Sequence, residues 1–83
     1  MPKDLYIRTQ YDDKDLISVL EVYSIDQDGE EQIEEDATRV CSHIPPTCAD
    51  QGADLWSWLR RKVEEFLRQA RISYRAIYFD AEP

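Results

Sequence analysis

This chain of 83 residues is 42% hydrophobic and 34% charged, and its formal net charge is −8 at pH 7. Such an apolar content excludes a disordered chain, while the length allows one core, so we expect a single domain over residues 1–83. No apolar run approaches the roughly 18 residues that a membrane span needs, so we also expect a cytoplasmic location and no membrane contact.

The excess negative charge is confined to the first half of the chain. Acidic and basic side chains balance in residues 41–83, so the net charge of −8 comes from residues 1–40. A field of this sign repels nucleic acid and attracts basic proteins. We therefore expect no direct nucleic-acid binding and a basic or nucleic-acid-binding protein as partner, although charge that serves only solubility is an equal alternative.

The first two elements are predicted strands joined by a polar turn. Residues 4–11, DLYIRTQY, alternate in the period of two that is typical of a half-buried strand. Residues 12–15 read as a turn, and residues 16–25, LISVLEVYSI, are rich in β-branched and aromatic types on both faces, as in a central strand. Asp26 and Gly29 then predict a tight hairpin of the type I plus bulge kind.

Residues 30–42, EEQIEEDATRVCS, predict a third strand in which Ile33 and Val40 are the main apolar anchors. The density of carboxylates favours an edge strand that resists further pairing, and equally an acidic surface for a partner. The candidate partner-binding carboxylates are Asp26, Asp28, Glu30, Glu31, Glu34, Glu35 and Asp36.

A helix is predicted from about Cys48 or Ala53 to about Arg71, with Thr47 and Asp50 resembling a capping box. Its apolar stripe consists of Ala53, Trp56, Leu59, Val63, Phe66, Leu67 and Ala70. Trp58 falls near the opposite side of this helix, so we expect it to be exposed and to act as a binding hot spot.

A last strand is predicted where Tyr74, Ala76 and Tyr78 alternate with Ile77 and Phe79. The element order is then β-β-β-α-β, an α+β fold with a mainly antiparallel sheet and one amphipathic helix on one face. If the last strand pairs with the first, it does so in parallel through a right-handed crossover.

The stretch CSHIPPTC gathers Cys41, His43 and Cys48, which are residue types that bind zinc. The cysteines lie seven apart rather than two to four, and only Asp50 offers a fourth ligand, so we predict a connector with two ordinary half-buried cysteines. Cys41 and His43 would share one side of an extended strand, and Cys48 could lie in the first helical turn, where its pKa would fall. We expect no metal, no cofactor and no enzymatic activity.

Three functions fit these features. The first is a non-enzymatic inhibitor whose acidic surface mimics nucleic acid and blocks a nucleic-acid-binding protein, as anti-CRISPR and anti-restriction proteins do. The alternative is an immunity protein or antitoxin that neutralises a basic nuclease toxin. The third is a homo-oligomeric adaptor, for example a homodimer, that uses Trp58 and an open sheet edge.

Overall fold

In this computed structural model the described residues are 2–48 and 53–81, and they form five strands and two helices. In chain order the elements are β1 (Asp4–Tyr11), β2 (Leu16–Ile25), β3 (Glu31–Ile33), α1 (Glu35–Cys41), β4 (Thr47–Cys48), α2 (Ala53–Gln69) and β5 (Ala76–Phe79). The predicted α+β class is confirmed, and both long strands have their predicted bounds. None of the helices in the described ranges has the length and apolar character needed to cross a membrane.

The sheet has the strand order β3-β2-β1-β5, and the two-residue strand β4 pairs with the start of β2. Pairing is antiparallel between β1 and β2, between β2 and β3, and between β2 and β4, whereas β1 and β5 are parallel. The short strand β3 therefore lies at an edge, as its charged residues predicted, and the last strand pairs in parallel with the first.

Both hairpin turns follow from their sequences. Asp12 Oδ1 accepts hydrogen bonds from the backbone N–H groups of Lys14 and Leu16, which closes the turn between β1 and β2. In the next hairpin the N–H of Gly29 donates to the carbonyl of Asp26, and Gly29 has a φ of 83°. Glycine takes this left-handed conformation without the steric cost that other residues incur, so the predicted bulged turn is confirmed.

A β-bulge in β2 determines which side chains face the helices. Arg8 pairs with Glu21 whereas Thr9 pairs with Val19, so Leu20 is the extra residue. After this bulge the positions that face the helices change from odd to even residue numbers. The two halves of β2 can therefore both contribute to one core, although no single alternation runs through the strand.

The helix α2 packs on the sheet through a row of four buried residues spaced by four: Leu55, Leu59, Val63 and Leu67. The predicted apolar stripe coincides with this buried row only in part. Trp56 and Phe66 are half-buried at its sides, and Ala70 is exposed beyond the end of the helix. The predicted capping residue Asp50 lies outside the described residues, whereas Thr47 belongs to β4 rather than to a helix cap.

The predicted third strand over residues 30–42 is wrong beyond Ile33, because residues 35–41 form α1. Ala37 and Cys41 are one helical turn apart, and both are buried against β2 and α2. A strand would have placed these two residues on one face together with polar neighbours, whereas a helix buries them as a pair and leaves Glu35 and Asp36 in its exposed first turn.

The Thr38 hydroxyl joins α1 to the part of β2 that lies beyond the pairing with β3. It accepts a hydrogen bond from the N–H of Val22 at 2.9 Å and lies 3.1 Å from the carbonyl oxygen of the same residue. A side chain thus replaces a neighbouring strand at this position.

The variant Thr38→Val is expected to lower the free energy of unfolding by about 1–3 kcal/mol, because the N–H of Val22 would remain buried without its partner. Urea denaturation measures the change. Thr38→Ser keeps the hydroxyl and should retain most of the stability. A stable Thr38→Val variant together with a destabilised Thr38→Ser variant would show that the methyl group, and not the hydrogen bond, matters.

Candidate protein-binding surfaces

Asp26, the first of the predicted partner-binding carboxylates, is engaged in its own hairpin. Its Oδ1 accepts hydrogen bonds of 2.9 Å from the N–H groups of Asp28 and Glu30, and its Oδ2 accepts one of 3.0 Å from Gln32 Nε2. The bond from the Glu30 N–H is the main cause that lowers the pKa of Asp26. The carboxylate therefore stabilises the turn rather than facing a partner.

Glu34 is likewise an internal acceptor. Ser24 Oγ donates a hydrogen bond to its Oε2 at 2.7 Å, and Lys3 Nζ forms an ion pair with the same oxygen at 3.3 Å. Ser24 is buried, so Glu34 satisfies a hydroxyl that would otherwise lack a partner inside the protein. This carboxylate links the end of β3 to β2 and to the N-terminal segment.

Two further candidates form ion pairs at the surface. Nη2 of Arg8 donates hydrogen bonds to the two carboxylate oxygens of Glu31, at 3.1 and 3.2 Å. Asp36 pairs with Arg39 at 2.9 Å within α1. The charge that these two carboxylates present to a partner is therefore partly compensated by the neighbouring arginines.

The other three carboxylates, Asp28, Glu30 and Glu35, are exposed, and no ion pair or hydrogen bond joins their side chains to another described residue. Asp28 and Glu30 lie in the β2–β3 connection and Glu35 begins α1, so the three residues flank β3 at one edge of the sheet. We call this set the acidic edge. It is smaller than the seven-residue surface predicted from the sequence.

Trp58 is half-buried and packs against the core, so its predicted solvent exposure is wrong. The sequence did not predict the short helix α1. Because α1 packs against α2, a larger part of the α2 surface is buried. A shallow cleft of about 240 Å³ remains between Trp58, Arg61, Lys62 and Glu65, and Lys62 Nζ lies 5.9 Å from the Trp58 ring centroid. The lysine already occupies part of the space that a partner's cation would use.

The face of the sheet opposite α2 carries a row of side chains that was not predicted from the sequence. The pairing register places Ile33 beside Tyr23, Tyr23 beside Tyr6, and Tyr6 beside Tyr78. The ring centroids are 5.4 Å apart for Tyr6 and Tyr23 and 5.3 Å apart for Tyr6 and Tyr78, and both pairs are stacked. We call these four residues the tyrosine row; with strands about 4.8 Å apart it is about 14 Å long.

Arg8 lies beside the tyrosine row, with its guanidinium carbon 4.5 Å from the Tyr23 ring centroid. It forms ion pairs with Glu21 on β2 and with Glu31 on β3. The hydrogen bond to Glu31 is the largest cause that raises the pKa of Arg8. Two carboxylates and an aromatic ring therefore hold this cation against the sheet.

Arg75 and Asp4 form a second ion pair near the row. Nε and Nη2 of Arg75 donate hydrogen bonds to the two carboxylate oxygens of Asp4 at 2.8 and 2.6 Å. This bidentate bond lowers the pKa of Asp4 and raises that of Arg75. Both arginines on this side of the sheet are thus paired within the chain.

The cysteines and the histidine do not converge. Cys41 is buried at the end of α1, His43 is exposed, and Cys48 lies half-buried in β4 rather than in a helix. The expectation that Cys41 and His43 share one side of a strand is therefore wrong. Burial raises the pKa of the Cys41 thiol to about 12, which leaves little of the reactive thiolate at neutral pH.

Residues 2–48 and 53–81 contain no other candidate metal site. Within these ranges no three His, Cys, Asp or Glu side chains are arranged to hold a metal ion. The proposed fourth ligand, Asp50, lies outside the described residues. A larger cleft, of about 450 Å³, lies between the starts of β1 and α1 and Ile72. Of its four charged lining residues, Lys3 and Glu34 pair with each other, and the other two are Glu35 and Asp36.

Comparison of this chain with protein-family models, with curated proteins and with solved structures gives no match in any of the three.

Proposed function

We propose that this protein is a small acidic inhibitor without enzymatic activity, which acts in the cytoplasm by binding a basic, nucleic-acid-binding protein. The observation that carries the proposal is the acidic edge, where Asp28, Glu30 and Glu35 are exposed and form no ion pair with a cation in residues 2–48 or 53–81. Exposed carboxylates that are not paired with a neighbouring cation attract a basic partner more strongly than carboxylates that are paired within the chain.

The acidic edge would act as a substitute for nucleic acid. A protein that binds phosphate groups presents lysine and arginine side chains in a groove, and exposed carboxylates on both sides of a short edge strand can enter such a groove in place of a nucleic-acid strand. The short length of β3 supports this role, since a three-residue edge with flanking charges resists pairing with other strands and keeps its side chains accessible.

Neutralising two residues of the acidic edge tests the proposal. The variant Asp28→Asn with Glu30→Gln should weaken binding of the partner by about 3- to 30-fold, since each exposed ion pair contributes about 0.3–1 kcal/mol. Affinity capture from host lysate with mass spectrometry would first identify the protein whose binding decreases at high salt. Its affinity for the purified chain, and its competition with nucleic acid, would then be measured by titration.

A matched control lies in the other hairpin, at the opposite end of β2. The variant Asp13→Asn with Asp15→Asn removes the same number of exposed charges, and asparagine tolerates the φ of 60° at position 15. Binding should be nearly unchanged in this control. Equal losses in the two variants would mean that total charge, and not the acidic edge, determines affinity.

The identity of the captured protein separates this function from its alternative. A protein that loses nucleic-acid binding when the chain is added supports the inhibitor, whereas a nuclease toxin encoded next to this chain would indicate an immunity protein or antitoxin. Both would use the same acidic edge, so the charge variants affect both in the same direction.

A further inference from the structure

We propose that two copies of this chain associate face to face through the open side of the sheet, with the tyrosine row at the centre of the interface. This inference goes beyond the proposed function and uses a different surface from the acidic edge. In this proposal a second copy of the chain covers the open face, and the assembly is a dimer with two-fold symmetry.

The first argument is the apolar character of the face. At its ends Ile33 and Tyr78 are each 48% exposed, and Ile25, two residues from Tyr23 on the same side of β2, is 46% exposed. Large apolar side chains that are exposed together mark interaction sites, and tyrosine is enriched at the centres of interfaces. Because the described helices lie on the opposite side, no described element covers these residues.

The second argument is charge. Five charged side chains lie on or beside this face, and they are joined in ion pairs within the chain: Asp4, Arg8, Glu21, Glu31 and Arg75. Two arginines against three carboxylates leave an excess of one negative charge, although the whole chain carries −8. The face therefore avoids most of the repulsion that opposes self-association of an acidic protein.

Charge also decides between a second copy and a basic partner as the occupant. A basic protein is attracted to unpaired carboxylates, which lie at the acidic edge, and gains little from carboxylates that already bind Arg8 and Arg75. A nearly neutral face whose arginines and carboxylates are already paired is matched by an identical face, because each copy then leaves little charge for the other to neutralise.

The geometry of the row suits two-fold symmetry. Two-fold dimers are the commonest oligomers, and their interfaces use the same patch on both chains. Sheets pack face to face at about 10 Å, with side chains of the two inner faces interdigitating. Tyr23 is only 9% exposed and Tyr6 is half-buried, so the exposed ends of the row would supply most of the contact. A two-fold axis that passes over the Tyr6–Tyr23 pair would place Tyr78 of each copy near Ile33 of the other.

Sedimentation velocity over a range of chain concentrations, in reducing buffer, tests the dimer. We expect the unmodified chain to form dimers with a Kd below about 100 µM. The variant Tyr78→Lys should raise this Kd at least tenfold, since it places a cation in the apolar contact that Tyr78 would make with Ile33 of the other copy. The substitution makes the net charge less negative, so weaker association could not be attributed to stronger overall repulsion.

The matched control is Tyr11→Lys. Tyr11 is 55% exposed and lies on the side of β1 opposite to the tyrosine row, so its replacement should leave the Kd of the dimer unchanged. Thermal unfolding followed by circular dichroism would establish that both variants are folded, and Ile33→Lys provides a second test at the other end of the row. A monomeric wild-type chain at several hundred micromolar, or equal effects of Tyr78→Lys and Tyr11→Lys, would overturn the proposal.

Salt separates this inference from the proposed function. Added salt should leave the dimer unchanged or strengthen it, because the interface is apolar and nearly neutral, whereas binding of a basic protein to the acidic edge should weaken. Dimerisation that disappears at high salt would overturn the tyrosine-row interface without affecting the inhibitor proposal. Loss of the basic partner at high salt would leave the dimer intact.

Discussion

Replacement of Leu59 by alanine is expected to lower the free energy of unfolding by about 2–5 kcal/mol. The side chain is 1% exposed and lies at the centre of the buried row of α2, in contact with the core formed by both helices and the sheet. A domain of this length has a total stability of about 4–12 kcal/mol, so the variant should lose a large part of it. Urea denaturation followed by circular dichroism measures the loss.

Leu20→Ala is the matched control for that variant. Leu20 is the extra residue of the β-bulge and is 46% exposed, so the same chemical change removes much less buried surface. We expect a loss below about 1 kcal/mol. If Leu59→Ala cost no more than Leu20→Ala, the helix would not be packed through the row that contains Leu59.

The strands were predictable because their signals are local. Alternation in residues 4–11, the β-branched run in residues 16–25 and the Asp26–Gly29 turn each need only neighbouring residues for their interpretation. The helix α1 was missed because only Ala37 and Cys41 show its period, among carboxylates that suit an edge strand equally well. Burial against β2 and α2 decides the conformation, and that burial depends on distant parts of the chain.

The surfaces were less predictable than the fold for the same reason. Tyr6, Tyr23 and Tyr78 come together only through strand pairing, and the bulge at Leu20 determines that Tyr23 faces away from the helices. Counting carboxylates predicts an acidic region, but the hydrogen bonds that engage Asp26 and Glu34 depend on the turn geometry and on Ser24. Residue types predict the acidic region, and the hydrogen bonds and ion pairs of the structure reduce it to the three residues of the acidic edge.

The buried thiol of Cys41 is expected to make the fold sensitive to alkaline pH. Burial raises its pKa from 9.0 to about 12, so between these values the thiol stays protonated in the folded protein while it ionises in the unfolded chain. The unfolded state then binds fewer protons, and the free energy of unfolding decreases as pH rises. The contribution of Cys41 is complete below about pH 9 and is lost progressively toward pH 12, with a total of about 4 kcal/mol.

Comparison with Cys41→Ala isolates this effect from the titration of tyrosines and lysines. At pH 7 the alanine variant should be less stable by about 1–2 kcal/mol, because it leaves a small cavity. As the pH increases above 9 the difference should shrink and then change sign, since alanine has no proton to lose. If the free energies of unfolding of the wild type and of Cys41→Ala changed in parallel between pH 8 and 11, the Cys41 thiol would be able to ionise in the folded protein. The helix α1 would then not seal this thiol from water.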